Sequence, residues 1–112
     1  MSILTANYSD INHDEMAQKI GLKAKHIPIL VTSFLEESAA ILEKLQTSIE
    51  STNYQDIKSQ AHSIKGSAGN LHFNEVYEMS KEIELSASQA KKDFDYQAHL
   101  DAIKKAVATI SF

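Results

Sequence analysis

Residues 61–71 read Ala61-His62-Ser63-Ile64-Lys65-Gly66-Ser67-Ala68-Gly69-Asn70-Leu71, and this stretch has two different faces when it is wound as a helix. At about 100° per residue, four residues fall within roughly a quarter turn of one another: His62, Lys65, Gly66 and Gly69. An apolar stripe lies on about the opposite side and consists of Ile57, Ala61, Ile64, Ala68 and Leu71. The pattern therefore predicts a helix that buries its apolar stripe in a core and exposes the histidine.

Two glycines inside a helix are costly. Each destabilises the helix by about 0.5–1 kcal/mol relative to alanine. Because Gly66 and Gly69 lie on the same side as His62, we expect them to let a large partner come close to the imidazole.

The motif His62-Ser63-Ile64-Lys65-Gly66-Ser67, continued by Ala68-Gly69-Asn70-Leu71, resembles the signature of histidine-containing phosphotransfer (HPt) domains, which are helical modules of bacterial and fungal phosphorelays. The helical pattern around the motif extends the resemblance to most of the chain. One position departs from it, since the family pattern usually continues Asn-Leu-Gly and this chain has Asn70-Leu71-His72. If that glycine normally takes a positive φ, His72 bears a modest cost in backbone strain.

The composition limits the functions that the chain can have. It has 112 residues and a net charge of −4 without a dense basic patch, so nucleic acid and anionic membranes are not expected partners. Cysteine is absent, which excludes disulfides and thiolate metal sites and is compatible with the cytoplasm, where we expect the protein. No apolar stretch approaches the roughly 18–20 residues of a membrane span, and the N-terminus lacks a signal-peptide pattern.

Apolar spacing places the helices. A short helix is predicted from about Asn12 to Ile20, ending at Gly21. The longest helix is predicted from about Ile27 to Ser51, with Pro28 in its first turn.

Three further helices are expected. Asn53 caps the third helix with Asp56 in a weak capping-box position, and a turn follows over residues 71–74. The fourth helix uses apolar residues over 76–87, and the last buries Tyr96, Leu100, Ile103, Val107 and Ile110.

The fold class predicted from this pattern is all-α. Short connections favour an up-down-up-down antiparallel four-helix bundle with a short extra N-terminal helix, and HPt domains share this architecture. We expect residues 1–112 to form a single domain in which residues 1–9 are a flexible tail, although Ile3, Leu4 and Tyr8 could dock on the bundle. A monomer is expected, because the bundle can close its own core.

The resemblance assigns roles to residues of the motif. His62 would be the phosphoacceptor, offering a neutral and exposed imidazole nitrogen for in-line attack. Lys65 would offset phosphate charge, and Lys58 would add a second positive charge one turn before His62. Gly66 and Gly69 would form the access surface, while the hydroxyls of Ser63 and Ser67 would contact phosphate or only solvate the helix.

The resemblance implies a phosphocarrier and not an enzyme. No P-loop, glycine-rich kinase loop or carboxylate cluster suited to Mg²⁺ is present, so no cofactor is expected on this chain. A partner receiver domain would supply the aspartate and the Mg²⁺. The expected partners are receiver domains of a hybrid sensor histidine kinase and of a response regulator.

Three other interpretations of the sequence stay open. The first is an HPt-like module that binds a receiver or kinase domain without carrying phosphate. The second is a metal-dependent bundle, although His13, His26, His72 and His99 show none of the usual metal-ligand spacings, and we expect no metal site. The third is one domain of a larger histidine kinase, although the natural-looking Met1 and a helix that runs almost to Phe112 favour a complete small protein.

Overall fold

The computed structural model describes residues 4–111, and all regular structure in that range is helical. The elements in chain order are α1 (His13–Ile20), a 3₁₀ turn (Ala24–His26), α2 (Ile27–Glu50), α3 (Tyr54–Asn70), α4 (Asn74–Ser88) and α5 (Tyr96–Ala108). The predicted all-α class is confirmed. The 3₁₀ turn is an element that the apolar spacing does not predict.

The predicted helix ends are confirmed where a side chain or a glycine sets them. The side chain of Asn12 accepts a hydrogen bond from the backbone N–H of Glu15, and α1 ends at Gly21 with a φ of 76°. Asn53 caps α3 in the same way by accepting from the N–H of Asp56. Pro28 lies in the first turn of α2, where its missing N–H costs nothing.

The end of the last helix differs from the prediction. Helix α5 ends at Ala108, and Val107 and Ile110 are only half-buried. Ile110 lies beyond the helix at the edge of the main core, where it also packs against a small second apolar cluster of Ala17, Ile27 and Val31. This second cluster attaches α1 to the start of α2, and Ile110 covers it from outside instead of being fully buried.

The main core lies between the four longer helices. In this core α2 contacts α3, α3 contacts α4, α4 contacts α5, and α5 contacts α2. Its largest fully buried side chains are Phe73, Leu45, Ile57, Ile64, Met79, Ile83, Leu100, Ile103 and Val76. Burying one such side chain stabilises the fold by about 1.5–3 kcal/mol.

Helices α3 and α4 run antiparallel. His62 of α3 contacts Glu84 of α4, and Gly69 of α3 lies against Tyr77 of α4. The residue numbers therefore rise along α3 while they fall along α4. Glu84 and Tyr77 are seven residues apart, so they share one side of α4.

The predicted tail is described from residue 4 onward. Tyr8 docks on the bundle, with its ring centroid 4.6 Å from that of Phe73. Leu4 is 40% exposed, and Ile3 lies outside the described residues.

The turn between α3 and α4 contains His72 at a φ of 60°, in the left-handed region where the family pattern usually has a glycine. The N–H of the next residue, Phe73, donates to the carbonyl of Ala68, which closes the end of α3. A non-glycine residue in this conformation carries backbone strain.

Replacing His72 by glycine should therefore stabilise the protein. We expect His72→Gly to raise the free energy of unfolding by about 0.5–1 kcal/mol, net of the larger chain entropy of glycine. Urea denaturation measures the change, with His26→Gly as the control because His26 has a φ of −85°. An equal or larger gain from the control would contradict the strain at His72.

Candidate functional site

His62 lies on the outer face of α3, and 67% of its side-chain surface is exposed. The opposite face of the helix is buried, since Ile57, Ala61, Ile64 and Ala68 are each 0–1% exposed. The two-faced helix predicted from the sequence is thus confirmed. A buried stripe fixes the rotation of α3, and so it fixes the direction in which His62 leaves the backbone.

Glu84 of α4 connects the histidine and the lysine of the motif. One carboxylate oxygen, Oε2, lies 2.7 Å from Nδ1 of His62. The other, Oε1, lies 2.6 Å from Nζ of Lys65. The three side chains therefore form one connected unit across the α3–α4 contact.

The charges in this unit stabilise one another. Burial acts to raise the pKa of Glu84, but hydrogen bonds from Lys65 and His62 outweigh it and leave the pKa below its ordinary value. The hydrogen bond to Glu84 raises the pKa of Lys65 despite partial desolvation. Glu84 is therefore a carboxylate and Lys65 an ammonium at neutral pH.

The ionised Glu84 determines how the imidazole is protonated. A carboxylate only accepts hydrogen bonds, so Nδ1 of His62 must be the donor. In a neutral imidazole the other nitrogen, Nε2, then carries the lone pair. With the ring exposed, this arrangement presents a nucleophilic nitrogen to the solvent side of α3.

The two lysines predicted for the site have different surroundings. Lys65 is 23% exposed, and its ammonium is engaged by Glu84. Lys58 is exposed and forms no ion pair within residues 4–111. An open groove beside the histidine is lined by Gln55, Lys58, Ser59, His62, Ser63 and Glu84.

The two glycines also differ. A Cβ at Gly66 would meet no atom of residues 4–111 within 4 Å, so no contact in this part of the chain requires a glycine there. A Cβ at Gly69 would lie 3.2 Å from Cδ2 of Tyr77, which is a tight contact. Gly69 thus has a packing reason between α3 and α4, whereas the predicted access role still fits Gly66.

The two serines of the motif have local partners. The hydroxyl of Ser63 donates to the carbonyl of Ser59, 3.3 Å away in the preceding turn. The hydroxyl of Ser67 donates weakly to Oε1 of Glu37 on α2, at 3.4 Å. Ser63 lines the groove beside His62, and Ser67 is directed toward the neighbouring helix.

Glu84 is a site residue that the sequence motif does not predict. Nothing in its local sequence distinguishes it from the other glutamates of α4. Only the register between α3 and α4 could identify it. In an antiparallel pair where Gly69 faces Tyr77, the residue seven positions before Gly69 faces the residue seven positions after Tyr77. That register pairs His62 with Glu84.

A second histidine is held by a glutamate on the other side of α4. His99 of α5 is 5% exposed, and its Nε2 lies 3.2 Å from Oε2 of Glu82. Its Nδ1 lies 2.9 Å from the carbonyl oxygen of Asp95, and its ring packs 4.3 Å from that of Phe94. His99 is part of the α4–α5 contact and is not accessible to a partner.

The described part of the chain has neither a cluster of metal ligands nor a membrane-spanning helix. Within residues 4–111, no group of three or more His, Asp or Glu side chains is arranged to hold a metal ion. No helix in the same range is both long and apolar enough to cross a membrane.

Removing the charge of Glu84 should give a pH-dependent loss of stability. Because both partners are partly exposed, we expect Glu84→Gln to cost about 1 kcal/mol or less at pH 7. The pKa of Glu84 in the folded state is below its ordinary 4.5, so the loss is present above pH 4.5. This loss of stability disappears as the pH falls through the pKa of Glu84 in the folded protein, because the wild-type carboxylate then becomes protonated.

Urea denaturation of both proteins at pH 7 and pH 3 measures this difference. Glu78→Gln is a suitable control, because Glu78 lies on the same helix and forms no ion pair within residues 4–111. A stability difference of equal size at both pH values would show that the charge of Glu84 does not stabilise the site.

Comparison with known protein families supports the interpretation of this geometry. A family described as "Hpt domain" matches residues 29–111, which is well over half of the chain. No curated protein and no solved structure matches the chain. Members of this family act in histidine phosphotransfer signalling with receiver domains and kinases, as phosphocarriers and not as catalytic enzymes. The match, and the exposed histidine on a helix with a buried stripe, show that the chain belongs to the Hpt domain family.

Proposed function

We propose that this protein is a phosphocarrier that accepts a phosphoryl group on His62 from a receiver-domain aspartate and passes it to another receiver. One observation carries the proposal: Glu84 engages Nδ1 at 2.7 Å, which leaves Nε2 of the exposed ring as the nucleophile. Among the four other histidines, His99 is buried, and His13, His26 and His72 form no ion pair within residues 4–111.

The transfer step needs no catalytic group from this chain besides the imidazole. The lone pair on Nε2 attacks the phosphorus of the aspartyl phosphate in line, so the N–P bond forms while the bond from phosphorus to the aspartate oxygen breaks. The aspartate leaves as a carboxylate. The proton on Nδ1 stays on the ring, where Glu84 stabilises the positive charge that develops.

The same proton assists the reverse step. When a second receiver attacks the phosphohistidine, the N–P bond breaks and its electrons return to Nε2. Because Nδ1 keeps its proton, the ring leaves as a neutral imidazole, which is a far better leaving group than an imidazolate. One Glu84 carboxylate thus serves both directions, as a carrier requires.

The lysines offset the charge of the phosphoryl group in different ways. Lys58 is unpaired within residues 4–111 and lines the groove, so it can meet the phosphate directly. Lys65 must first exchange its Glu84 contact for a phosphate oxygen. The Lys65 side chain can reach a phosphoryl group on His62, because Lys65 lies about one helical turn after His62. Ser63 can donate a further hydrogen bond from the rim of the groove.

The partners in this proposal are receiver domains of a hybrid sensor histidine kinase and of a response regulator. The receiver supplies the phosphoacceptor aspartate and its Mg²⁺, and this chain binds no cofactor. The absence of cysteine suits a cytoplasmic location. An HPt domain within a larger histidine kinase would use the same site.

We further propose an up-down-up-down order for α2 to α5, with α1 as the extra N-terminal helix, in a monomeric single domain. The closed ring of contacts from α2 through α5 and back to α2 supports this order. So does the antiparallel register of α3 and α4.

Substitution of His62 should abolish transfer and leave the fold intact. A receiver labelled with ³²P on its aspartate, with Mg²⁺ present, should pass label to the wild type but not to His62→Gln. The label should be acid-labile and base-stable, as phosphohistidine is. His26→Gln, at an exposed histidine outside the site, should accept label at the wild-type rate.

Label on His62→Gln at the wild-type rate would show that His62 is not the acceptor. Binding of receivers without label on any variant would favour an interaction module that carries no phosphate. Circular dichroism of each variant checks that the helical fold is retained.

Alanine at Gly66 and at Gly69 should have different consequences. Gly66→Ala should stabilise α3 by about 0.5–1 kcal/mol, because its methyl group meets no neighbour among the described residues 4–111. It should also slow label transfer, because that methyl group projects toward the docking receiver. Gly69→Ala should gain less stability or none, because its methyl group lies 3.2 Å from the Tyr77 ring.

Thermal unfolding and initial transfer rates of both variants test this pair. A Gly66→Ala protein that transfers label at the wild-type rate would remove Gly66 from the docking surface. A Gly69→Ala protein as stabilised as Gly66→Ala would show that Tyr77 yields freely.

A further inference from the structure

The N-terminal segment of residues 4–12, which we call the N-terminal latch, binds the segment that follows α5. The N–H of Tyr8 donates to Oγ1 of Thr109 at 2.8 Å. The N–H of Ser111 donates to the carbonyl of Tyr8 at 3.3 Å, and its hydroxyl donates to the carbonyl of Ser9 at 2.6 Å. The latch is therefore hydrogen-bonded to the chain just beyond α5.

Tyr8 also reaches the start of α4. Its ring packs 4.6 Å from Phe73, a core residue that is 1% exposed. Its hydroxyl donates to Oε1 of Glu75 at 2.8 Å and accepts from the N–H of Val76 at 3.3 Å. Burial and the neighbouring Glu75 raise the pKa of Tyr8, so the hydroxyl keeps the proton that it donates.

Helix α4 lacks a side-chain cap at the residue before it, and the hydroxyl of Tyr8 binds its first turn instead. Helices α1, α3 and α5 are each capped by a side chain at the residue before them: Asn12, Asn53 and Asp95. The corresponding residue of α4 is Phe73, whose side chain forms no capping hydrogen bond. The hydroxyl of Tyr8 therefore satisfies an N–H in the first turn of α4 that a local cap would otherwise satisfy.

The connection before α4 adds to this dependence. His72 holds a strained φ of 60° directly before Phe73. The N–H of Phe73 and its buried ring hold this turn against α3 and the core, while the strain at His72 weakens it. The packing of Tyr8 on Phe73 and its bonds to Glu75 and Val76 add support from outside the turn.

We propose that the N-terminal latch controls phosphoryl exchange at His62 by holding α4 in the register that brings Glu84 to His62 and Lys65. Helix α4 transmits the effect as a rod, since Glu84 follows Glu75 by nine residues, or about 14 Å of helix. With the latch docked, Glu84 holds the imidazole and the site is ready. With the latch released, the start of α4 loses these contacts, the helix shifts as one body, and Glu84 engages His62 less firmly.

The latch lies outside the residues that match the Hpt domain family, which begin at residue 29. Tyr8 acts through α4 and is a positioning residue, and this proposal rests on the proposed role of His62 for its effect on phosphoryl transfer.

Tyr8→Phe tests the latch, because it keeps the ring on Phe73 and removes only the hydroxyl. We expect the Val76 amide to exchange its hydrogen about fivefold faster, as for the loss of a helix cap. The ¹⁵N shifts of the His62 ring should move away from a fixed Nδ1–H form. Label transfer from a receiver should slow by about threefold.

Two further variants are compared with Tyr8→Phe: one is a matched control, and the other breaks a second contact of the latch. Tyr54→Phe is the matched control, because Tyr54 is a half-buried tyrosine that packs on Tyr96 and its hydroxyl has no bond within residues 4–111. It should leave all three measurements unchanged. Thr109→Val removes the acceptor of the Tyr8 N–H and should change them in the same direction as Tyr8→Phe.

The outcomes separate the two proposals. Faster exchange at Val76 with unchanged His62 shifts and an unchanged transfer rate would overturn the latch, because its effect would then end at the helix cap. If the wild type accepts no label, the role of His62 as phosphoacceptor fails, and the His62 ring shifts alone decide the latch. A shift in Tyr8→Phe then supports control of the Glu84 contact, and no shift overturns it.

Discussion

The close approach of α3 and α4 is the constraint on which the site depends. It is possible because α3 presents small residues to its neighbours: Ala61 and Ala68 are fully buried, and even a Cβ at Gly69 would lie 3.2 Å from the Tyr77 ring. A larger side chain at Gly69 would push α4 outward. Glu84 could then no longer reach Nδ1 of His62 and Nζ of Lys65 at hydrogen-bond distance.

The site must reconcile exposure with order. A histidine that enters another protein's pocket must be exposed, and an exposed side chain is normally free to change rotamer. Glu84 resolves this conflict, because it is itself only 17% exposed and is held by Lys65 on its other oxygen. A negative charge beside the proposed phosphorylation site would by itself oppose phosphorylation, but the ammonium of Lys65 offsets that charge.

Features that depend on neighbours in sequence can be predicted from this chain, and features that depend on the register between helices cannot. The caps at Asn12 and Asn53 and the buried stripe of α3 follow from local spacing. The role of Glu84 requires knowing which turn of α4 faces His62, and residue spacing within one helix does not contain that information. The packing role of Gly69 depends on the same register and is hidden from the sequence for the same reason.

The start of α4 is a second feature that residue spacing cannot predict, because its partner lies near the start of the sequence. Asn12, Asn53 and Asp95 cap α1, α3 and α5 from the residue next to each helix, whereas the first turn of α4 binds the hydroxyl of Tyr8, which is 68 positions away from the Val76 amide. A helix start that uses so distant a partner is weakened whenever either end of that hydrogen bond moves. Glu84 lies on the same helix, so under the proposed latch the geometry around His62 depends on that start, and substitutions at Tyr8 or Thr109 are expected to act on the proposed phosphoryl transfer through position and not through chemistry.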